Sequence, residues 1–122
     1  MAHIVCIDDQ QDILEVTKMC LEIIGGHRVS VFRDGRSALA ALPGLKADLI
    51  LLDSVMPGLT GRDTFAALQA LPEVKAVPVV FMTARGRPEE LKQFIDLGAA
   101  GAVAKPFEPD ELVDKIAKLL AA

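Results

Sequence analysis

A chain of 122 residues with a formal net charge of −4 has the size of one domain and is too short to build two hydrophobic cores. The acidic balance argues against direct binding to a nucleic-acid backbone, which requires clusters of Lys and Arg. Hydrophobic residues make up 52 % of the chain, but no apolar run approaches the roughly 20 residues of a membrane span. Five Phe without Tyr or Trp provide no stacking platform for bases or a flavin.

The amino-terminal run MAHIVCIDD predicts a cytoplasmic protein that does not insert into a membrane. Acidic residues arrive by Asp8, before any apolar segment long enough for a secretory signal. The two cysteines, Cys6 and Cys20, lie among apolar neighbours in a predicted strand and a predicted helix. We expect both to be small core residues, because thiols in such surroundings rarely form disulfides or bind metals.

The first half of the chain alternates strand-length apolar runs with segments of helical period. Strands are predicted over residues 4–8, 28–32 and 50–52; the second alternates apolar and polar residues, as an edge strand does, and the third is continuously apolar, as a central strand is. A helix over residues 11–24 has apolar positions at spacings of three and four, namely Ile13, Val16, Cys20, Leu21 and Ile24. Gly25 and Gly26 end it. Asp34 is the predicted cap of a short helix that stops at Pro43.

The second half continues the alternation. A helix over residues 62–71 is predicted to bury Phe65 and Leu68, and a strand over 79–82 follows Pro78. Pro88 begins a fourth helix, which ends before Gly98. After the run GAVA, the last helix begins at residue 109 and is predicted to bury one face, made of Leu112, Ile116, Leu119 and Leu120. Alternation of this kind favours a parallel sheet of five βα units. We therefore expect residues 1–122 to form one module without an output domain.

Chemically useful residues follow four of the predicted strands. They are the pair Asp8 and Asp9, then Asp53, Thr83 and Lys105. Because the carboxyl ends of parallel strands meet at one edge, where open α/β sheets bind ligands, these side chains should lie together. Three carboxylates opposed by one ammonium repel each other, so the site should recruit a hard divalent cation. Magnesium is the predicted cofactor.

Each member of this set also has an ordinary structural explanation. Adjacent acids after a strand often cap a helix, an Asp before Pro and Gly often starts a turn, and Thr is common in strands. Lys105 alone could be a surface lysine whose stem lies along apolar groups. The coincidence of all five residues at four strand ends is much more specific than any one of them.

The residues resemble the receiver domain of two-component response regulators in its stand-alone form. The matching runs are IDD, LLDSVMPGLTG, FMTA and AKPFEPDEL, in the order and spacing of that family. The resemblance covers the full chain. It implies an α/β, flavodoxin-like, doubly wound sheet of five parallel strands in the order 2-1-3-4-5, with five helices.

The resemblance also implies roles for the acidic residues. Asp53 matches the phosphoacceptor, and Asp8 and Asp9 match the acidic pair that holds Mg²⁺ together with Asp53. The backbone carbonyl of Val55 matches a further protein ligand of the metal. The protein would then be a phosphoacceptor that assists only its own phosphorylation and dephosphorylation, not an enzyme acting on other substrates.

Thr83 and Lys105 match the residues that contact the phosphoryl oxygens in this family. The donor implied is a phosphohistidine on a sensor histidine kinase or a phosphotransfer protein, and an unidentified target protein would receive the signal. Transmission would shift the face formed by the fourth helix, fifth strand and fifth helix between two conformations. We expect a monomer or a weak dimer.

The sequence departs from the family pattern at one position and is informative at three others. Ala102 replaces the usual aromatic residue three positions before the lysine, so switching must use the backbone or another side chain, such as Phe81 or Phe107.

In this family the residues two positions after the phosphoacceptor and two positions after the threonine tune the phosphoryl lifetime. Here they are Val55 and Arg85. An apolar Val side chain offers no hydrogen bond to water, which predicts slow self-dephosphorylation. The bond between Lys105 and Pro106 resembles one that is cis in the family.

Three rival functions follow from the same residues. Ala102 motivates a receiver-like docking module that no longer cycles phosphate. A flavodoxin-like redox carrier is disfavoured because the first strand leads into DDQQ rather than a phosphate loop rich in hydroxyls and Gly. A phosphatase with Asp8 as nucleophile lacks a second spaced Asp and a following hydroxyl.

Overall fold

Five parallel strands form a single sheet in the order β2-β1-β3-β4-β5 in the computed structural model, which describes residues 2–84 and 86–121. The strands are β1 (His3–Ile7), β2 (Arg28–Phe32), β3 (Leu49–Asp53), β4 (Val79–Thr83) and β5 (Gly101–Ala104). The helices are α1 (Gln11–Met19), α2 (Gly35–Ala41), α3 (Gly61–Gln69), α4 (Pro88–Leu97) and α5 (Pro109–Ala121). The predicted α/β fold and strand order are confirmed.

Two hydrophobic clusters pack on opposite faces of the sheet. Along β1, Val5 and Ile7 belong to the cluster beneath α2, α3 and α4, whereas Ile4 and Cys6 belong to the cluster beneath α1 and α5. The strands β1, β3 and β4 are buried throughout, as expected for strands covered on both faces, and the edge strand β2 is partly exposed. The sheet therefore provides a rigid platform for the loops at its carboxyl edge.

The two cysteines are core residues, as predicted. Cys6 and Cys20 are buried free thiols in the cluster beneath α1 and α5. Burial, and then the nearby Asp8 carboxylate, raise the pKa of Cys6 to about 12, because both disfavour a thiolate. The Cys6 thiol is therefore protonated at neutral pH.

The first helix buries only part of the apolar set that the spacing suggests. Cys20 and Leu21 are buried, whereas Val16 and Ile24 are 49 % and 52 % exposed, and Leu14 and Thr17 are buried in their place. The segment Cys20–Ile24 continues α1 as a π-helix, in which the backbone N–H of Gly25 donates to the Cys20 carbonyl at 3.3 Å. Apolar residues lie on more than one side of this helix, so only packing against the sheet and α5 decides which side is buried.

The remaining helices lie close to their predicted positions. Asp34 caps α2 by accepting a hydrogen bond from the Ser37 backbone N–H at 2.7 Å, and a 3-10 turn over Leu42–Gly44 ends this unit. On α5, Leu119 and Leu120 are only partly buried, because they line a surface depression at the amino edge of the sheet. Among the described helices, none combines the length and apolar character needed to cross a bilayer.

Candidate functional site at the carboxyl edge of the sheet

The strand register brings the predicted site residues to one edge of the sheet. Ile7 pairs with Leu52 and Asp53 pairs with Met82, so Asp8 and Asp53 lie at the same level of adjacent strands. The backbone N–H of Lys105 donates to the Thr83 carbonyl at 2.7 Å, which extends the pairing of β4 and β5 by one residue. Residues that are distant in sequence therefore emerge together where the ladder ends.

Three carboxylates form a compact cluster at this edge. One oxygen from each of Asp8, Asp9 and Asp53 lies within 4.8 Å of the others. Asp8 and Asp53 are only 3 % and 5 % exposed, and Asp9 lies nearer the surface. The structure thus brings together the acids that the sequence placed after two different strands.

Lys105 reaches into this cluster from the end of β5. Its ammonium nitrogen lies 2.6 Å from Oδ2 of Asp8 and 3.2 Å from Oδ1 of Asp53. Its side chain is 10 % exposed, so the ion pairs are screened less than surface pairs are. One ammonium faces three carboxylates, which leaves an excess of negative charge in the site.

Asp53 titrates abnormally in this setting. Burial is the main cause and repulsion from the Asp8 carboxylate the second, and together they raise the pKa of Asp53 from 3.8 to about 6. Attraction to Lys105 and the hydrogen bond from the Val55 backbone N–H act in the opposite direction. A cation beside Asp53 would favour its ionised form.

Two of the acids, Asp9 and Asp53, open onto a cleft of about 300 Å³. Its lining residues are Asp9, Gln10, Asp53, Ser54, Val55, Ala84 and Lys105. Val55 is 77 % exposed, and its backbone N–H donates to Oδ1 of Asp53 at 3.4 Å. The use of the Val55 carbonyl as a metal ligand stays a prediction.

Gln10 belongs to the site although the sequence reasoning did not select it. It lines the cleft, and its backbone N–H donates to Oδ1 of Asp8 at 3.0 Å, which orients that carboxylate. The only sequence signal for Gln10 is its position directly after the acidic pair.

Thr83 is buried and lines a neighbouring cavity, which shares Ser54, Val55 and Ala84 with the cleft.

Close packing of α3 fixes the loop after Asp53. Thr60 caps α3 by accepting a hydrogen bond from the Asp63 backbone N–H at 3.1 Å. A Cβ atom on the next residue, Gly61, would collide with the Asp53 carbonyl oxygen and would lie 2.7 Å from Cα of Ser54. Glycine is therefore required here because the helix backbone touches the strand end, not because of an unusual φ.

The donor set fits a hard divalent cation. Carboxylate oxygens are preferred ligands of Mg²⁺, and three converge here. Asp8 and Asp53 are paired with Lys105, whereas the Asp9 carboxylate has no hydrogen bond or ion pair with any residue that the structure describes. Asp9 therefore has an oxygen available for a cation at the open side of the cluster.

Three further positions were singled out by comparison with the family pattern, and the structure describes two of them. Ala102 is buried in the same cluster as Phe81 and Phe94, so its small side chain is packed over by neighbouring residues. The bond between Lys105 and Pro106 is cis, as predicted. Arg85 lies outside the described residues.

Comparison with known proteins agrees with this geometry. A family model described as the response regulator receiver domain matches residues 4–117. The transcriptional regulatory protein CpxR of Escherichia coli K12 is 38 % identical over 120 residues, which are 98 % of this chain and 50 % of CpxR. The chain spans about half the length of the curated relatives it matches.

Solved structures show the same fold. The chemotaxis protein CheY4 of Vibrio cholerae is 29 % identical, with a TM-score of 0.89 and 98 % of each chain covered. The receiver domain of the sensor histidine kinase PA1611 from Pseudomonas aeruginosa PAO1 has a TM-score of 0.89 at 24 % identity, covering 99 % of this chain and 98 % of that one. In that structure a magnesium ion is coordinated in the active site cleft.

Proposed function

Because this chain belongs to the response regulator receiver domain family, we propose that it accepts a phosphoryl group from a phosphohistidine onto Asp53. Receiver domains are signalling modules of two-component systems. The observation that carries the proposal is the position of Asp53, which is buried between a second acid and an ammonium at the floor of an open cleft. A nucleophile so placed can meet a donor that enters from solvent.

The reaction would transfer the phosphoryl group by positioning and electrostatics. Oδ1 of Asp53 is held by Lys105 and by the Val55 N–H, so Oδ2 is the oxygen available for attack on phosphorus. The P–N bond to the imidazole breaks as the P–O bond forms, and the imidazole takes up a proton. Lys105 stabilises charge on the phosphoryl oxygens, and the Thr83 hydroxyl donates to one of them.

Asp8, Asp9 and Asp53, together with the Val55 carbonyl, would hold the metal. The carboxylate cluster and the magnesium ion in the cleft of the PA1611 receiver support this assignment. When bound, Mg²⁺ would neutralise charge on the transferring phosphoryl group. The chain's own residues supply the nucleophile and the opposing ammonium, and the protein assists only its own phosphorylation and dephosphorylation.

A sensor histidine kinase or phosphotransfer protein is the proposed donor, and the cytoplasm is the proposed location of this chain. The output would be a conformational change of the face formed by α4, β5 and α5, which a target protein recognises. The second candidate is a docking module that no longer cycles phosphate, and the buried Ala102 in place of an aromatic switch favours it. The complete set of acids with Lys105 favours the phosphoacceptor.

Phosphorylation by acetyl phosphate separates the two candidates. With Mg²⁺, the intact mass of the wild type should increase by one phosphoryl group, and that of Asp53→Ala should not change. Asp12→Ala is the matched control, because Asp12 is an exposed acid in the first turn of α1, and it should be phosphorylated like the wild type. An unchanged mass for all three proteins would favour the docking module.

A further inference from the structure

Arg62 connects α3 to α4 beside the acidic site. Its Nη2 donates a hydrogen bond to Oε1 of Gln93 at 3.0 Å, and its guanidinium carbon lies 5.3 Å from the centre of the Phe94 ring. Arg62 and Gln93 are exposed, whereas Phe94 is 3 % exposed. The two helices therefore meet at this edge through one neutral amide and one aromatic face.

The charge of Arg62 is not compensated. No carboxylate among residues 2–84 and 86–121 lies within ion-pair distance of its guanidinium, although Glu90 lines the same cavity. A neutral amide oxygen and an aromatic ring bind a solvent-exposed guanidinium weakly compared with a phosphoryl group, which offers charge-assisted, bidentate hydrogen bonds. An anion that arrives nearby would compete well for this side chain.

Arg62 also lies close to the phosphoacceptor candidate. The backbone of the preceding residue, Gly61, touches the Asp53 carbonyl, so Arg62 is anchored at the strand end. Its cavity, of about 300 Å³, is also lined by Thr83 and shares Ser54 and Val55 with the cleft above Asp53. The cavity beside Arg62 therefore adjoins the cleft above Asp53.

The contact on α4 leads directly into the core. Phe94 stacks on Phe81 of β4 with ring centres 4.4 Å apart, and Phe81 packs edge-on against Phe65 of α3 at 5.4 Å. Ala102 belongs to the same cluster and contributes no ring of its own. Arg62 therefore caps an aromatic stack that joins α3, β4 and α4 at the place where an aromatic switch residue is missing.

We propose that Arg62 is a positioning residue that moves from Gln93 and Phe94 to the phosphoryl group on Asp53 and thereby releases α4. This inference rests on the proposed phosphorylation of Asp53. In the unphosphorylated protein the guanidinium holds α4 against α3. After transfer the new dianion attracts it, and α4 loses the hydrogen bond and the cation–π contact that Arg62 of α3 makes with it.

Beryllium fluoride with Mg²⁺ provides a stable probe of the phosphorylated state. In ¹⁵N-labelled protein, the Nε–H resonance of Arg62, assigned by its loss in Arg62→Lys, should shift when the adduct forms. Amide hydrogen exchange in α4 should become about two- to fivefold faster, as expected for loss of one exposed cation–π contact. The ¹⁹F signal of bound beryllium fluoride independently reports whether Asp53 has reacted.

Three variants should differ in the hydrogen exchange of α4. In Arg62→Gln, α4 should exchange fast without the probe and respond little to it. In Gln93→Glu, a carboxylate retains Arg62 on α4, so protection should persist after the adduct forms. Arg28→Gln, which removes an exposed arginine at the amino edge of the sheet, should behave like the wild type.

The possible failures are distinguishable. Absence of the ¹⁹F adduct would contradict the proposed function and this inference with it. An adduct that leaves the Arg62 Nε–H resonance unchanged, or that speeds exchange in α4 of Arg62→Gln as much as in the wild type, would overturn the role of Arg62 alone.

Discussion

The ammonium nitrogen of Lys105 lies 2.6 Å from Oδ2 of Asp8, and both side chains are almost fully buried. The two residues are 97 positions apart in the chain. Because β3 and β4 lie between β1 and β5, this ion pair spans the carboxyl edge of the sheet. It fixes the width of the acidic site and supplies the positive charge described there.

Replacement of Lys105 by Met should destabilise the protein. Asp8 and Asp53 would face each other without a counter-charge, and loss of one partner of a buried pair costs about 3 kcal/mol. Urea unfolding followed by far-ultraviolet circular dichroism, without divalent cations, measures this loss at neutral pH. Lys92→Met, which changes an exposed lysine on α4, should unfold like the wild type. Equal unfolding midpoints for Lys105→Met and the wild type would show that the ion pair contributes nothing.

The raised pKa of Asp53 predicts a stabilising substitution at alkaline pH. Its folded-state pKa of about 6 exceeds the ordinary 3.8, so the folded protein binds this proton more tightly than the unfolded chain does. The stability that this tighter proton binding contributes is complete below the ordinary pKa of 3.8 and is lost as the pH rises through the folded-state pKa of about 6. The asparagine in Asp53→Asn carries no charge. Without metal, the free energy of unfolding of this variant should therefore exceed that of the wild type by about 1 kcal/mol at about pH 8, after allowance for solvent screening.

This advantage of Asp53→Asn should largely disappear at about pH 4, where the wild-type carboxyl is protonated in the folded state and partly protonated in the unfolded chain. Urea unfolding at the two pH values provides the comparison. A constant difference between the proteins at both pH values would mean that the charge of Asp53 is not the cause.

Magnesium binding should depend on Asp9. Binding to the folded state alone raises the melting temperature, and removal of one carboxylate from the set should weaken the affinity by about tenfold or more. Differential scanning calorimetry over a magnesium titration suits a chain without Trp or Tyr. We expect Asp9→Asn to lose most of the magnesium-induced shift and Asp12→Asn to retain it. A full shift in Asp9→Asn would remove Asp9 from the ligand set.

The lifetime of the phosphorylated protein should depend on Val55. Its exposed, apolar side chain lines the cleft and cannot position an attacking water by a hydrogen bond. Val55→Asn adds an amide at that place, so loss of the phosphoryl group after removal of the donor should be several-fold faster. Intact-mass measurements over time follow this decay. Ile23→Asn, on a residue that is 76 % exposed on the Cys20–Ile24 π-helix, is the control. A shorter lifetime in the wild type than in Val55→Asn would refute the prediction.

Gly61 should tolerate no side chain. In Gly61→Ala the added methyl would overlap the Asp53 carbonyl, and we expect a loss of about 2 kcal/mol or more in the free energy of unfolding, because backbone must move. Gly44→Ala is the matched control, since a Cβ there meets nothing within 4 Å. Thermal unfolding of the two variants makes the comparison. Equal melting temperatures would show that the loop after β3 yields without cost.

The sequence by itself determined the fold and the membership of the acidic site. Strand-length apolar runs alternate with helical segments, and the chemistry of the residue after each run is visible without coordinates. Because parallel strands point the same way, all their carboxyl ends meet at one edge, and this geometric rule places Asp8, Asp53 and Lys105 together. The same rule needs no knowledge of side-chain rotamers.

Only the tertiary structure decided which contacts these groups make. The burial of Leu14 rather than Val16 on α1 depends on packing, because apolar residues occupy several faces of that helix. The bridge from Arg62 to Phe94 joins two helices separated by a strand, and no local pattern predicts such a pair. Distances and burial are set jointly by all packed neighbours, whereas periodicity and turn signals are properties of short segments.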